Sequence, residues 1–215
     1  MKTLIGSWVL LALAGALQAK DPELKLKIQV FVYNYAGVSS ETLAQAGREA
    51  ARIYDRTGIQ TEWLDCPLTP DEAAQYPACQ LPLSPTRLAI RVLSRNMAKR
   101  MGLSRTTIGS ALFPEYGGYG IVAHVCAYCA EDLAERHTAA YGVILGYVMA
   151  HELGHLLLGV GSHAPTGLMH VPWNKKELDS IAKGWLLFTS REGDTMRRQV
   201  SARFRDVLLA DASRN

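Results

Sequence analysis

The sequence has little of anything that would mark a specialised chain. Only 4 of its 215 residues are cysteine, and only 8% are aromatic. Charge of neither sign dominates: 23 Lys and Arg face 20 Asp and Glu, for a net charge of +3. That excess is too small to argue for nucleic acid, and no basic block is interleaved with aromatic residues. Repeats, low-complexity tracts and interdomain linkers are missing too. Disorder, a collagen-like helix, a coiled coil and a polytopic membrane protein are thereby excluded as main readings. What is there is 48% apolar residues, enough to bury a core without leaning on disulfides. The length suits one compact domain.

The first apolar run, Leu4 to Leu17, is uncharged and follows Met1-Lys2. Ala-Gly-Ala at 14–16 and Leu-Gln-Ala at 17–19 offer cleavage sites before Lys20. This is the pattern of a secretory signal peptide over residues 1–19, leaving a domain over 20–215 that is secreted or periplasmic. The run is short for a spanning helix, so no membrane association is expected once it is removed. No cysteine lies near the cleavage region, so a lipoprotein is not expected. Cys66 and Cys79 flank a proline-rich stretch, and Cys126 and Cys129 form a Cys-Ala-Tyr-Cys pair. Four cysteines allow three pairings, among which sequence does not choose. The local pairs, 66–79 and 126–129, are the expectation, with a four-thiolate zinc site as the sharper alternative. An oxidising compartment favours disulfides.

Leu24, Leu26, Ile28 and Val30 alternate with polar residues and open a strand that runs to Tyr35. Ser39 or Ser40 can cap a helix that carries Leu43, Ala46, Ala50, Ile53 and Tyr54 on one face and stops at Gly58. Residues 59–64 form a second strand, so the chain opens β-α-β with parallel strands. Residues 65–86 read as an irregular connection. Strands follow at 87–93, 107–113 and 120–125. A helix over about 138–158 is apolar nearly all round, the mark of a buried one. A loop covers 160–175, and C-terminal helix begins at Asn174 or Lys175, with an interruption expected near 189–194. The fold expected is α/β: a mostly parallel sheet of five strands on two long helices, plus a C-terminal helix, with a cleft below the last, edge strand.

The segment that carries chemistry is His151-Glu152-Leu153-Gly154-His155. Two histidines at i and i+4 share a helix face, about 6 Å apart along the axis, so both imidazoles can converge on one Zn²⁺. Glu152, on the neighbouring face, can reach a water at the ion without ligating it and can take that water's proton. Chance places such a pattern in about one chain in a hundred of this composition. Two histidines leave zinc short of a third protein ligand. Gly159 can end the helix and Gly161 adds a second flexible point, so the chain can fold back. His163 is then the next residue of ligand type, with His170 and Glu177 as rivals. His124 and His137 show no partner spacing. Tyr116, Tyr119 and Tyr147 are oxyanion-donor candidates that nothing distinguishes, and His170 is another.

The stretch His-Glu-Leu-Gly-His-Leu-Leu-Leu-Gly-Val-Gly-Ser-His-Ala-Pro-Thr-Gly-Leu-Met-His resembles the zinc site of the metzincin metalloproteases, in wording closest to the matrixin branch. The resemblance implies His151, His155 and His163 as zinc ligands and Glu152 as general base. It also implies Gly159 as turn glycine and Met169 as the Met-turn residue. It implies hydrolysis of peptide bonds in a peptide or protein substrate, held as an added strand against an antiparallel sheet edge. The order of elements over about 26–175 follows the family; only 151–169 is motif-specific. Three features depart from it. The turn glycine follows the first His by eight residues, where the family has seven, and the third His by twelve, where the family has ten. The Met follows the third His by only six. No inhibitory cysteine precedes the domain, and the first strand follows the cleavage point closely, so activity is expected as soon as the signal is removed. A zinc peptidase that uses Glu177 as third ligand, and a zinc- or protein-binding domain without turnover, are the alternatives. Neither oligomeric state nor substrate preference is written in the sequence.

Overall fold

The computed structural model describes residues 26–104, 107–137 and 139–213. The expected signal peptide and the start of the first strand at Leu24 lie outside the described residues. β1 (Lys27–Asn34), α1 (Ser40–Asp55) and β2 (Gln60–Cys66) form a parallel β-α-β unit. Ser39 caps α1 by accepting from the Thr42 amide at 3.2 Å. Ile28, Val30 and Val32 of β1 join Leu43, Ala46, Ala50 and Ile53 of α1 in one core. The connection that follows holds a short helix, α2 (Pro70–Ala73), and a 3₁₀ turn (Pro77–Gln80), tied to the end of β2 by the Cys66–Cys79 disulfide.

The chain continues through β3 (Arg87–Leu93), α3 (Arg95–Arg100), β4 (Gly109–Leu112), β5 (Val122–Cys126) and α4 (Ala127–Arg136). Then come α5 (Tyr141–Leu158), α6 (Lys175–Ala182) and α7 (Ser190–Ala212). The sheet order is β2-β1-β3-β5-β4. Four strands are parallel, and β4 runs antiparallel to β5 on the outer edge. The α/β architecture and the five-stranded, mostly parallel sheet are those expected.

α5 buries 14 of its 18 residues. It approaches α1 so closely that a Cβ on Gly146 would sit 2.6 Å from the Ala46 carbonyl oxygen. By length and hydropathy this helix is apolar enough to cross a bilayer, but the protein itself encloses it, with 78% of the segment buried. Its apolar surface therefore belongs to the core.

Several expectations need correction. The edge of the sheet is β4, fourth in the chain, and not the last strand. α4 was not anticipated: it starts directly from β5, with Cys126 at the N-cap position and no side-chain cap to announce it. The buried helix α5 starts at Tyr141, where a start at about 138 was expected. In the C-terminal region the break lies over 183–189, earlier than expected. Gly184, with φ of 71°, ends α6. The polar cluster at 189–192 begins α7, because Thr189 and Glu192 form a reciprocal capping box. Gly193 sits inside that helix.

Candidate metal centre

His151 and His155 are one helical turn apart on α5, and both project into a cleft of about 300 Å³ between that helix and β4. Their rings meet edge to face with centroids 4.7 Å apart. α5 ends at Gly159, whose amide donates to the His155 carbonyl at 2.8 Å and whose φ is 95°. Gly161 also has positive φ, at 71°. Between them Val160 points outward, 81% exposed, at the mouth of the cleft. These two glycine conformations turn the chain back toward the helix and bring His163 to the pair. His155 Nε2 then lies 3.1 Å from both His151 Nε2 and His163 Nε2.

That geometry fits an ion. Ligand nitrogens at 2.0–2.1 Å from a tetrahedral zinc stand about 3.3 Å apart. The three imidazoles form a group able to hold a metal, with His151 buried, His155 half-buried and His163 exposed. The far sides of two rings are tied down. His151 Nδ1 donates to the Leu168 carbonyl at 2.9 Å. A carbonyl only accepts, so the neutral ring carries its proton on Nδ1 and leaves Nε2 bare toward the cluster. His155 Nδ1 is 2.8 Å from the Ser162 hydroxyl. The indole of Trp173 meets the His151 ring edge to face at 5.7 Å.

Glu152 is 3% exposed. Its Oε2 is buried with no hydrogen-bond partner among the described residues. Burial pushes its carboxyl up to about 8 in the metal-free chain. Burial also lowers His151 to about 4, and lowers His155 to about 3 with help from the two neighbouring imidazoles. Both rings are therefore neutral near pH 7, the form that ligates metal.

Met169 is fully buried against α5. Its sulfur packs against Gly154, where a Cβ would come within 2.9 Å. The turn that carries it is fixed by bonds from the Leu168 amide to the Leu187 carbonyl at 2.8 Å and from the Ala164 amide to the Met169 carbonyl at 3.0 Å.

Glu177 is not brought to the histidines. Its carboxylate accepts from the Asn174 amide at 3.1 Å in the capping box of α6. His170 Nδ1 lies 3.7 Å from the same carboxylate and outside the triad. His124, on β5, lies opposite Ser110 in the sheet. Cys126 and Cys129 are disulfide-bonded, as are Cys66 and Cys79, so neither pair offers thiolates. Two disulfides fit an oxidising compartment.

Sequence reasoning missed Ser162, the Leu168 carbonyl, Trp173 and Gly109. Ser162 and Trp173 carry no spacing signal. Gly109 belongs to a strand of only four residues, too short to show a period.

The chain is similar to the zinc-dependent peptidase from Methanocorpusculum labreanum, with a TM-score of 0.48 and 14% identity, over 80% of this chain and 99% of that one. It is similar also to archaemetzincin from Methanopyrus kandleri, with a TM-score of 0.47 and 14% identity, over 82% and 97%. No family model and no curated protein matches it.

Proposed function

We propose that the chain is a zinc-dependent endopeptidase of metzincin type, with the matrixins as its nearest branch by motif. One observation carries the reading: His155 Nε2 lies 3.1 Å from the Nε2 of both His151 and His163, beside a buried carboxylate that has an unpartnered oxygen. A surrounding core gains nothing from such a group, since each unsatisfied buried polar atom costs about 1–3 kcal/mol. His151, His155 and His163 hold the ion. When bound, the zinc supplies a Lewis acid for the scissile carbonyl and an acidified water. Glu152 receives the proton that the attacking water gives up and returns it to the leaving amine. The positive charge of the ion opposes the desolvation that raises this carboxyl in the metal-free chain, so the base works ionised. Gly159 turns the chain, and Met169 forms the floor as a Met-turn residue. The free edge of β4 receives the substrate as an added strand.

The domain spans 20–215 and acts outside the cytosol, secreted or periplasmic, after loss of the leader at 1–19. The Glu177 alternative is disfavoured because that carboxylate is engaged in capping α6. The non-catalytic alternative is disfavoured by the intact Glu152.

Metal content measured together with hydrolysis of an unfolded protein, with and without chelator, tests this reading. One zinc per chain and chelator-sensitive cleavage are expected. Glu152→Gln keeps the zinc and loses at least about 10²-fold in rate. His163→Ala loses zinc and activity, whereas Glu177→Ala keeps both. A zinc-replete, active His163→Ala beside a zinc-poor Glu177→Ala overturns the ligand set.

A further inference from the structure

We propose that Gly109 is a positioning residue for Glu152: the missing Cβ on the edge strand is the socket that holds the carboxylate in place. The inference rests on the reading of Glu152 as the base. Gly109 lies in β4, paired with Val125 in ordinary antiparallel register. It is not among the glycines with positive φ. Its backbone therefore does not call for glycine; the space beside it does. A Cβ built at 109 would fall within 2.5 Å of Glu152 Cγ and nearer still to Cδ and Oε1. Unbonded carbons rest at about 3.5–4.0 Å.

Of the two sides of this contact, the carboxylate end gives way first. The Glu152 backbone sits inside α5, held by helix hydrogen bonds and core packing, while Oε2 has no partner among the described residues to anchor it. Packing against Gly109 on the Cγ, Cδ and Oε1 side of the group, and not a hydrogen bond to Oε2, limits its swing. A single methyl group at 109 is thus expected to leave the fold and the histidines alone and to swing the carboxylate away. Ala111, two residues on and on the same strand face, lines the same cleft and carries a Cβ. The restriction is local to the point where β4 crosses Glu152.

The experiment is a double-mutant cycle on the zinc-loaded protein. Gly109→Ala is expected to keep one zinc per chain, lose about 10²-fold or more in kcat and change KM little, as a misplacement of about 1 Å does. In a Glu152→Gln background the same Gly109→Ala change is expected to remove less than about 2-fold further, because its effect runs through the carboxylate. Melting temperature gives a readout independent of turnover: Gly109→Ala lowers it, and Gly109→Ala with Glu152→Ala restores it to that of Glu152→Ala alone. If Gly109→Ala fails to fold or to hold zinc, a folded, zinc-replete Gly109→Ala/Glu152→Ala supports the socket, and a double variant that fails equally overturns it. Parental kcat in Gly109→Ala beside a dead Glu152→Gln overturns the socket alone, as does an equal loss in both backgrounds. A Glu152→Gln that hydrolyses like the parent overturns the functional reading and the role of Gly109 with it.

Discussion

Arg203 and Glu152 are both ionisable residues almost wholly enclosed by protein, at 2% and 3% exposure; Glu152 belongs to α5, and Arg203 bonds to the last turn of that helix. They are opposites in how that enclosure is satisfied. Arg203, from α7, donates to the carbonyl oxygens of Pro85, Gly120 and Leu156, and stacks its guanidinium on the Tyr119 ring at 4.4 Å. The Leu156 carbonyl belongs to the final turn of α5, where carbonyls lack intrahelical partners and a cation is favoured. Burial lowers the Arg203 pKa to about 10, so it remains a cation at neutral pH. Its two terminal nitrogens join α7, α5 and the loop before β5, and its Nε alone is buried without a partner among the described residues. Among the described residues, Glu152 has one oxygen without a partner, and no opposite charge offsets its desolvation. The comparison separates a polar group that the fold uses from one that the fold tolerates. A strongly perturbed group left facing a cleft marks chemistry; one bonded to several backbone carbonyls marks architecture.

The largest effect that can break this comparison is on stability. Arg203→Met removes the donor and orphans up to three carbonyls. It is expected to cost about 3 kcal/mol or more and to lower the melting temperature by roughly 10 °C. Glu152→Gln, in the metal-free protein, is expected to melt at or above the parent temperature, since it removes a buried group that burial penalises. Thermal denaturation of both variants in chelator decides. If Glu152→Gln is the more damaging of the two, the assignment of the two residues to chemistry and architecture is reversed.

The same contrast explains what the sequence could and could not say. Two His and a Glu at helical spacing are a local pattern, and the periodicity of β1 and α1 and the continuous apolar run of α5 are local too, so these were legible. Arg203 makes its contacts with residues 47 to 118 positions away in the chain. Nothing in Ala-Arg-Phe-Arg-Asp distinguishes it from Arg205. Gly109 is equally silent, because its meaning comes from a carboxylate on another element. α4 was missed because it lacks a capping side chain, and the break before α7 was misplaced because the Thr189–Glu192 box reads equally as a polar interruption. The two rings that the site orients through Leu168 and Ser162 were visible as histidines, but their partners were not.

Ser162 sharpens the comparison on the functional side. Its hydroxyl, 2.8 Å from His155 Nδ1, is the only partner seen for the outer nitrogen of that ring among the described residues. Removing such a partner leaves the ligand in place but frees its orientation. Ser162→Ala is expected to weaken zinc binding by about 10–100-fold with little change in metal-free stability. Competition against a calibrated chelator measures it. Unchanged affinity would mean that the 159–163 turn alone orients His155.

The smallest effect expected is on the pH dependence of the metal-free protein, where the perturbed groups of the cleft, His151, His155 and Glu152, pull in opposite directions. The folded-state pKa of His151 and His155 lies near 4 and 3, below the ordinary 6.5. As pH falls below 6.5 the unfolded chain takes up protons that the folded chain refuses, so stability is lost on the acid side. Glu152 is shifted the other way, to about 8 from 4.5. The folded chain keeps a proton there that the unfolded chain has released, so stability from this group is present below 4.5 and is lost as pH rises through 8. Between 4.5 and 6.5 the two histidines outweigh the one carboxyl. Above 6.5 only the carboxyl acts. Stability of the chelated protein is therefore expected to peak near pH 6.5 and to fall by at most about 2 kcal/mol by pH 8, at about 1.4 kcal/mol per unit. Zinc removes the alkaline fall, because a cation beside Glu152 favours the ionised form in the folded state. Glu152→Gln removes it without zinc. Urea denaturation at pH 6.5 and pH 8, with chelator, for parent and Glu152→Gln, checks the sign. A parent protein that gains stability over that interval would show that Glu152 has a stabilising partner in the folded chain, and the contrast with Arg203 would dissolve.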